Sequence, residues 1–189
     1  MEKIVAIPRT NEQYDQELAS SRSIFQQKTR DYGTSWRVLR PISIADQLYI
    51  KARRIRTLQE TREKMVNEDK AGEFRAMVNY GIIGLIQLSI EAGGTEELSL
   101  AEATKYYDEQ SAVAREIMQA KNHDYGEAWR EMSQESFVDL ILMKLLRIRQ
   151  ILANDGKTLV SEGIDSNFID IINYSLFALI LIAEGKHTQ

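Results

Sequence analysis

Cysteine is absent from this sequence, which removes disulfides, thiolate nucleophiles and cysteine metal ligands. Proline occurs twice and glycine ten times in 189 residues, so few positions interrupt a helix. Histidine also occurs only twice. His123-Asp124 spells a His-Asp pair, but an HD-type metallophosphohydrolase needs further histidine ligands and only His187 is left. There is no Gly-rich phosphate loop, no G-x-S-x-G elbow and no zinc-ligand spacing. A net charge of −4 gives no basic footprint for nucleic acid. The apolar run near Met1 is too short for a signal peptide. The longest apolar run, Ile171 to Ala183, contains Asn173 and Ser175 and is shorter than a membrane span. It reads as a buried core helix, and the chain as a soluble cytoplasmic protein.

What remains is rich in Ala, Leu, Ile, Glu, Gln, Lys and Arg, a composition that favours helix. It is also repeated. Lys28 to Arg56 and Lys121 to Arg149 share Lys, Asp-Tyr-Gly, Trp-Arg, Asp, Lys and Arg-Ile-Arg at a constant shift of 93. Tyr14-Asp15 matches Tyr107-Asp108 at that shift, as do Arg22 with Arg115 and Gln26 with Gln119. After one extra residue near Gly156 the shift becomes 94, pairing Glu68 with Glu162, Phe74 with Phe168 and Asn79-Tyr80 with Asn173-Tyr174. The chain is therefore a tandem duplication.

Each copy predicts three helices. In the first, Thr10 with Gln13 opens a helix to about Arg30, and Asp31-Tyr32-Gly33 stops it. Ser43 with Asp46 caps a second helix reaching about Asn67, and a third runs from Lys70 to Glu91, ended by Gly93-Gly94. In the second, Ser99 with Glu102 opens a helix to about Asn122, Ser136 with Asp139 caps the next, and Asp165 or Ser166 starts the last. The expected fold is all-α, with residues 10–92 and 99–186 forming two three-helix repeats packed as one pseudo-twofold globule. Each third helix is apolar on nearly all sides and should be central. Gly81 and Gly84 align with Ser175 and Ala178, small residues that let these helices cross closely.

The identities kept between copies are largely polar: Lys28/Lys121, Asp31/Asp124, Asp46/Asp139, Lys51/Lys144, Arg54/Arg147, Glu68/Glu162 and Asn79/Asn173. Read singly, they are turns, helix caps and solvated charges. As a set they suggest ligand chemistry. Asp139, Lys144 and Arg147 fall on one broad helix face, which suits a phosphate with a metal. Asp170 and Asn173 face together, and Glu162 can approach them. Hard oxygen donors of this kind suit Mg²⁺. Asp170 aligns with Ala76, so the second copy is the better site candidate. Trp36 and Trp129, four residues after the tyrosine of each Asp-Tyr-Gly, clamp the turn onto the core, or else Tyr125 or Trp129 stacks on a nucleobase. Lys121 lies one turn before Tyr125, within reach of an anion.

The pattern K-x-x-D-Y-G-x-x-W, then D-x-x-x-x-K-x-x-R-I, then E…D-x-x-N-Y resembles the nucleotide-modification-associated domain 1 family, which is often duplicated within one chain. The resemblance covers about residues 14–186. That family is in turn similar to the all-α NTP pyrophosphohydrolases of the MazG type, which hold Mg²⁺ with E-x-x-E and E-x-x-D helices. Glu60-x-x-Glu63 and Glu162-x-x-Asp165 fit one element each, in different copies. The resemblance implies a Mg²⁺-dependent nucleotide pyrophosphohydrolase or a nucleotide-handling relative. Asp139, Glu162 and Asp170 would hold the metal, and Asp139, Lys144 and Arg147 would carry the reaction. Lys121, Tyr125, Trp129 and Asn173, with Lys51 and Arg54 in the first copy, would bind substrate. Its partners would be a small nucleotide, with neither membrane nor nucleic acid. A homodimer is compatible with the resemblance, although the internal duplication can replace it. The rival reading is a non-catalytic helical binding or dimerisation module, in which the repeated polar residues fix the fold.

Overall fold

The computed structural model describes residues 9–61, 69–90, 96–159 and 162–189. Six helices follow one another: α1 (Thr10–Tyr32), α2 (Pro41–Thr61), α3 (Lys70–Ser89), α4 (Leu100–Tyr125), α5 (Gln134–Ala153) and α6 (Ile164–Ala183). No strand occurs among the described residues. A 3₁₀ turn, Ser35–Val38 or Ala128–Glu131, follows each Asp-Tyr-Gly and carries the tryptophan. The expected all-α fold of two three-helix repeats is the observed one.

Local chemistry explains most helix ends. Ser99 and Glu102 form the expected capping box at α4. Gly33 and Gly126 stop α1 and α4 at φ 69° and 61°, a left-handed backbone that glycine adopts without strain. Three expected caps are corrected. Thr10 does not cap α1; its hydroxyl instead accepts a hydrogen bond from Arg130 Nη2 at 2.9 Å. α2 starts at Pro41, whose fixed φ suits a first helical turn, so Ser43 lies inside the helix. α5 is capped by Ser133, which accepts from Ser136 N at 3.1 Å. Asp69 caps α3 through Gly72 N. Glu63, Glu68 and Gly93-Gly94 lie outside the described residues.

α3 and α6 form the most extensive helix pair and the centre of the core. α6 is long and apolar enough to cross a membrane, yet 83% of its apolar window is buried inside the protein. The two helices cross closely, as their small residues predict. A Cβ on Gly81 would stand 2.6 Å from Ile172 Cγ1, and one on Gly84 would stand 2.9 Å from the Phe168 ring.

The repeats are locked by reciprocal polar ties. Tyr14 Oη donates to Asn173 Oδ1 at 2.7 Å, and Asn173 Nδ2 donates to the Ala114 carbonyl at 3.1 Å. Tyr107 Oη donates to Asn79 Oδ1 at 2.8 Å, and Asn79 Nδ2 donates to the Ser21 carbonyl at 3.0 Å. Each tyrosine thus crosses to the asparagine of the other repeat. The same exchange recurs nearer the surface. Arg22 holds Asp108 at 2.6 and 2.8 Å, and Arg115 holds Asp15 at the same distances. Arg149 meets Asp46 at 2.7 Å, and Arg56 meets Asp139 at 3.8 Å. A pseudo-twofold axis relates every one of these pairs.

Burial gives the inner ties their weight. Tyr14 and Tyr107 are fully buried, and desolvation pushes both phenols up, so they remain donors. Tyr107→Phe should cost about 1–3 kcal/mol, because it leaves the buried Asn79 oxygen without its donor. Tyr14→Phe should cost a similar amount at Asn173. Urea titration of both variants measures this, and unchanged midpoints would mean that the crossed bonds hold nothing together.

Candidate functional site

In the second repeat, three charged side chains from three helices meet. Lys121 comes from the end of α4, Lys144 from the middle of α5 and Asp170 from the second turn of α6. Lys121 Nζ lies 2.7 Å from Asp170 Oδ1, and Lys144 Nζ lies 2.7 Å from Asp170 Oδ2. The carboxylate is thus bracketed, one ammonium to each oxygen. Asp170 is 7% exposed at its side chain, Lys144 13% and Lys121 49%. The cluster therefore runs from the protein interior to solvent. Partial burial alone would lower the Lys121 pKa. The hydrogen bond to Asp170 and the negative charges of Asp170 and Glu162 outweigh burial and raise it, so Lys121 stays charged. Burial first, then the charge of Asp170, raises the pKa of the neighbouring Tyr174 phenol.

A cleft of about 450 Å³ opens over this cluster. Lys121, Lys144, Glu162, Asp170 and Asn173 line it, with Tyr125, Trp129 and Phe177 supplying apolar surface. The structure thus brings together most of the residues singled out in the second repeat. Tyr125, 76% exposed, is free to meet a ligand.

Other expected members of the site have different tasks. Asp139 stands apart, exposed on α5 beside Arg56 of the other repeat. Its recurrence as Asp46 reflects the crossed ion pairs. Arg147 is exposed, contacts Met143 Sδ at 3.8 Å and faces an adjoining groove with Lys144 and Glu162. Asn173 lines the cleft, but its amide is committed to Tyr14 and Ala114. Trp129 is already engaged within the protein. Phe177 stacks on it at 4.2 Å between centroids, and the Arg130 guanidinium lies over its ring at 4.4 Å. Its Nε1 donates to Asn122 Oδ1 at 3.0 Å. Trp129 therefore clamps the turn onto the core.

The expected Mg²⁺ triad of Asp139, Glu162 and Asp170 is not assembled. Among the described residues no group of three or more His, Asp or Glu side chains is placed to hold a metal. Both oxygens of Asp170 already accept an ammonium, and a cation there would face two positive neighbours at close range. This donor set does not fit a protein-held Mg²⁺.

The first repeat contains the equivalent cleft with its charges rearranged. Lys28, Tyr32, Trp36, Asn79 and Tyr80 take the places of Lys121, Tyr125, Trp129, Asn173 and Tyr174. Ala76 stands where Asp170 does. The acid lies one turn earlier, at Glu73, whose side chain is 5% exposed. It pairs with Lys51 at 3.5 Å and with Arg54. Lys51 and Arg54 are thus engaged inside their own repeat, remote from the second cleft. Each repeat keeps two lysines, one arginine and one acid. Moving the acid by one turn changes which cation lacks an acid. Among the described residues Lys28 has no carboxylate partner in the first repeat, and Arg147 has none in the second.

Helix periodicity does not predict the crossed tyrosine–asparagine bonds, although Tyr14, Tyr107, Asn79 and Asn173 all stand among the repeated identities. Their shared polarity was the signal.

The pattern of the family described as Nucleotide modification associated domain 1 matches residues 28–88 and again residues 121–182. The chain belongs to that family. No curated protein and no solved structure matches it. Each match to Nucleotide modification associated domain 1 begins at the cleft lysine, Lys28 or Lys121, and ends in the third helix of its repeat. The unit thus includes most of each cleft lining, and omits most of α1 and α4. The further similarity to MazG-type pyrophosphohydrolases is not supported by these comparisons. In its first motif element Glu60 pairs with Arg56 on the exposed face of α2 and Glu63 lies outside the described residues, while in the second Glu162 lines the cleft and Asp165 is exposed.

Proposed function

We propose that the chain is a nucleotide-handling protein that binds a nucleotide in the cleft of its second repeat. The observation that carries this reading is the convergence of Lys121 and Lys144, from separate helices, on the buried Asp170 at the floor of an apolar-walled cleft. Each ammonium has three donors and gives one to Asp170, so donors remain for phosphate oxygens. Asp170 fixes the two lysines in place and keeps Lys121 charged. Exposed Tyr125 can cover a base at the rim. The family description supplies the nucleotide; the geometry supplies an anion-binding floor beside an aromatic wall.

The finer reading, hydrolysis of an NTP to NMP and pyrophosphate, lacks its carboxylate set here. A binding role has a specific observation behind it. Asp46, Asp139, Asn79 and Asn173, repeated polar residues that as a set suggest ligand chemistry, each contact the other repeat.

Calorimetric titration with ribo- and deoxynucleoside mono- and triphosphates tests the proposal, with pyrophosphate release assayed alongside, both with and without Mg²⁺. Lys121→Ala should weaken binding roughly tenfold, the value of one charge-assisted hydrogen bond of about 1.4 kcal/mol. Lys121 is half exposed, so the fold should survive. If the folded protein takes up no nucleotide from this panel, the proposal fails.

A further inference from the structure

We infer that the first repeat holds a second ligand site of different chemistry, a donor-rich apolar slot for a planar ring with acceptor atoms on its edge and one anionic group. The inference rests on the first repeat alone and does not require the reading of the second.

The slot is a cavity of about 250 Å³ walled by Phe25, Trp36, Tyr80 and Ile83. A water needs roughly 10–15 Å³ of such space, so the slot is large enough for a small ring system. Ala76 removes the acid that occupies the second cleft, and Ile83 replaces the phenylalanine that stacks on Trp129. Trp36 therefore lacks the stacked partner its counterpart has; its aromatic neighbour Phe25 is tilted at 42° and 6.3 Å away.

Among the described residues, three donors of the slot lack an acceptor: Trp36 Nε1, Arg75 Nε and the Lys28 ammonium. Trp36 is 9% exposed, and its Nε1 has no hydrogen-bond partner. In the second repeat the corresponding indole donates to Asn122. Here Thr29 takes the place of Asn122 and turns its hydroxyl back to the Phe25 carbonyl at 2.8 Å. The shorter side chain leaves the indole N–H unanswered. Arg75, also lining the slot, has a buried Nε with no acceptor, while its other end lies 3.7 Å from Glu17. Lys28, exposed at the slot, has no acid partner among the described residues. A buried N–H without a partner is costly. A ligand with acceptors on its edge would answer it, and Lys28 would meet its anionic group. Two acids lie beside the slot residues, Glu17 near Arg75 and Glu97 against Gly33.

The four deoxynucleoside 5′-monophosphates carry both features and serve as probes. The chain has two tryptophans, so the full-length protein gives two indole N–H resonances in a ¹⁵N–¹H correlation spectrum, assigned with Trp36→Phe. At least one monophosphate should shift the Trp36 resonance downfield as its N–H gains an acceptor. Lys28→Ala should raise the concentration needed roughly tenfold. Thr29→Asn, which installs the acceptor and volume of the second repeat, should abolish the shift. Lys121→Ala should leave it unchanged. The inference is overturned if no monophosphate moves the Trp36 resonance at millimolar concentration. It is equally overturned if the shift disappears with Lys121→Ala and persists with Lys28→Ala. That second result would leave nucleotide binding in the second repeat standing.

Discussion

Asp170→Ala is expected to destabilise the protein by about 3 kcal/mol, because it leaves two ammonium groups facing each other with Lys144 nearly buried. For a chain of this size the melting temperature should fall by roughly 2–4 °C for each kcal/mol. The lower end of the range for a broken buried pair is appropriate, since Lys121 is half exposed and can swing into water. Lys121→Ala should accordingly cost far less than Lys144→Ala.

The first repeat shows how the damage can be repaired. There the third helix carries alanine at the Asp170 position and glutamate at the position of Asn167, and that glutamate, Glu73, holds Lys51 and Arg54. The double variant Asp170→Ala with Asn167→Glu should therefore regain much of the lost stability, with Lys144 and Arg147 as the new partners. Some loss should remain, since Asn167 Nδ2 now bonds the Gly163 carbonyl at 2.8 Å. In the single Asp170→Ala variant, added phosphate should raise the melting temperature more than in the parent protein, because an anion replaces the missing carboxylate. If Asp170→Ala melts with the parent protein, the bracketed carboxylate contributes nothing and the binding proposal loses its floor.

How far the sequence reveals this architecture depends on what each residue touches. The helices were legible because the composition favours helix and few prolines or glycines interrupt it, and the duplication because two copies in one chain align with themselves. Gly81 and Gly84 announced the close crossing of α3 and α6 correctly. Helix starts were less legible: Ser43, Ser133 and Ser136 are all competent caps, and only the backbone decides which is used. The site was half legible. Lys121, Lys144 and Asp170 are polar residues on otherwise apolar faces, and they do converge. Asp139 misled because a repeated acid has two explanations, a ligand to a metal or one arm of a symmetric tie. Periodicity within a helix cannot separate them, since the partner Arg56 sits in the other repeat. Trp129 kept two readings in the sequence, a clamp on the turn or a platform for a base, since nothing local shows that Phe177 stacks on it and Arg130 lies over its ring.

The centre of the pseudo-twofold supports the second large effect. Phe168 is fully buried beneath Gly84, and Phe168→Ala should cost about 3–5 kcal/mol, the lost transfer energy of the ring plus the cavity it leaves. Gly84→Ala probes the same contact from the other side. Its methyl would stand 2.9 to 3.0 Å from three Phe168 ring atoms, an overpacking worth about 1–3 kcal/mol. Opposing this, alanine favours helix over glycine by about 1 kcal/mol. In the parent protein the steric term should win and the variant should be less stable. In a Phe168→Leu background the ring is gone, the propensity term is left, and Gly84→Ala should become stabilising. The two substitutions should thus couple by roughly 1 kcal/mol or more in a double-mutant cycle. Additive effects in urea titrations would mean that α3 and α6 do not meet through this pair. The crossing that positions Asp170 over its two lysines would then need another support.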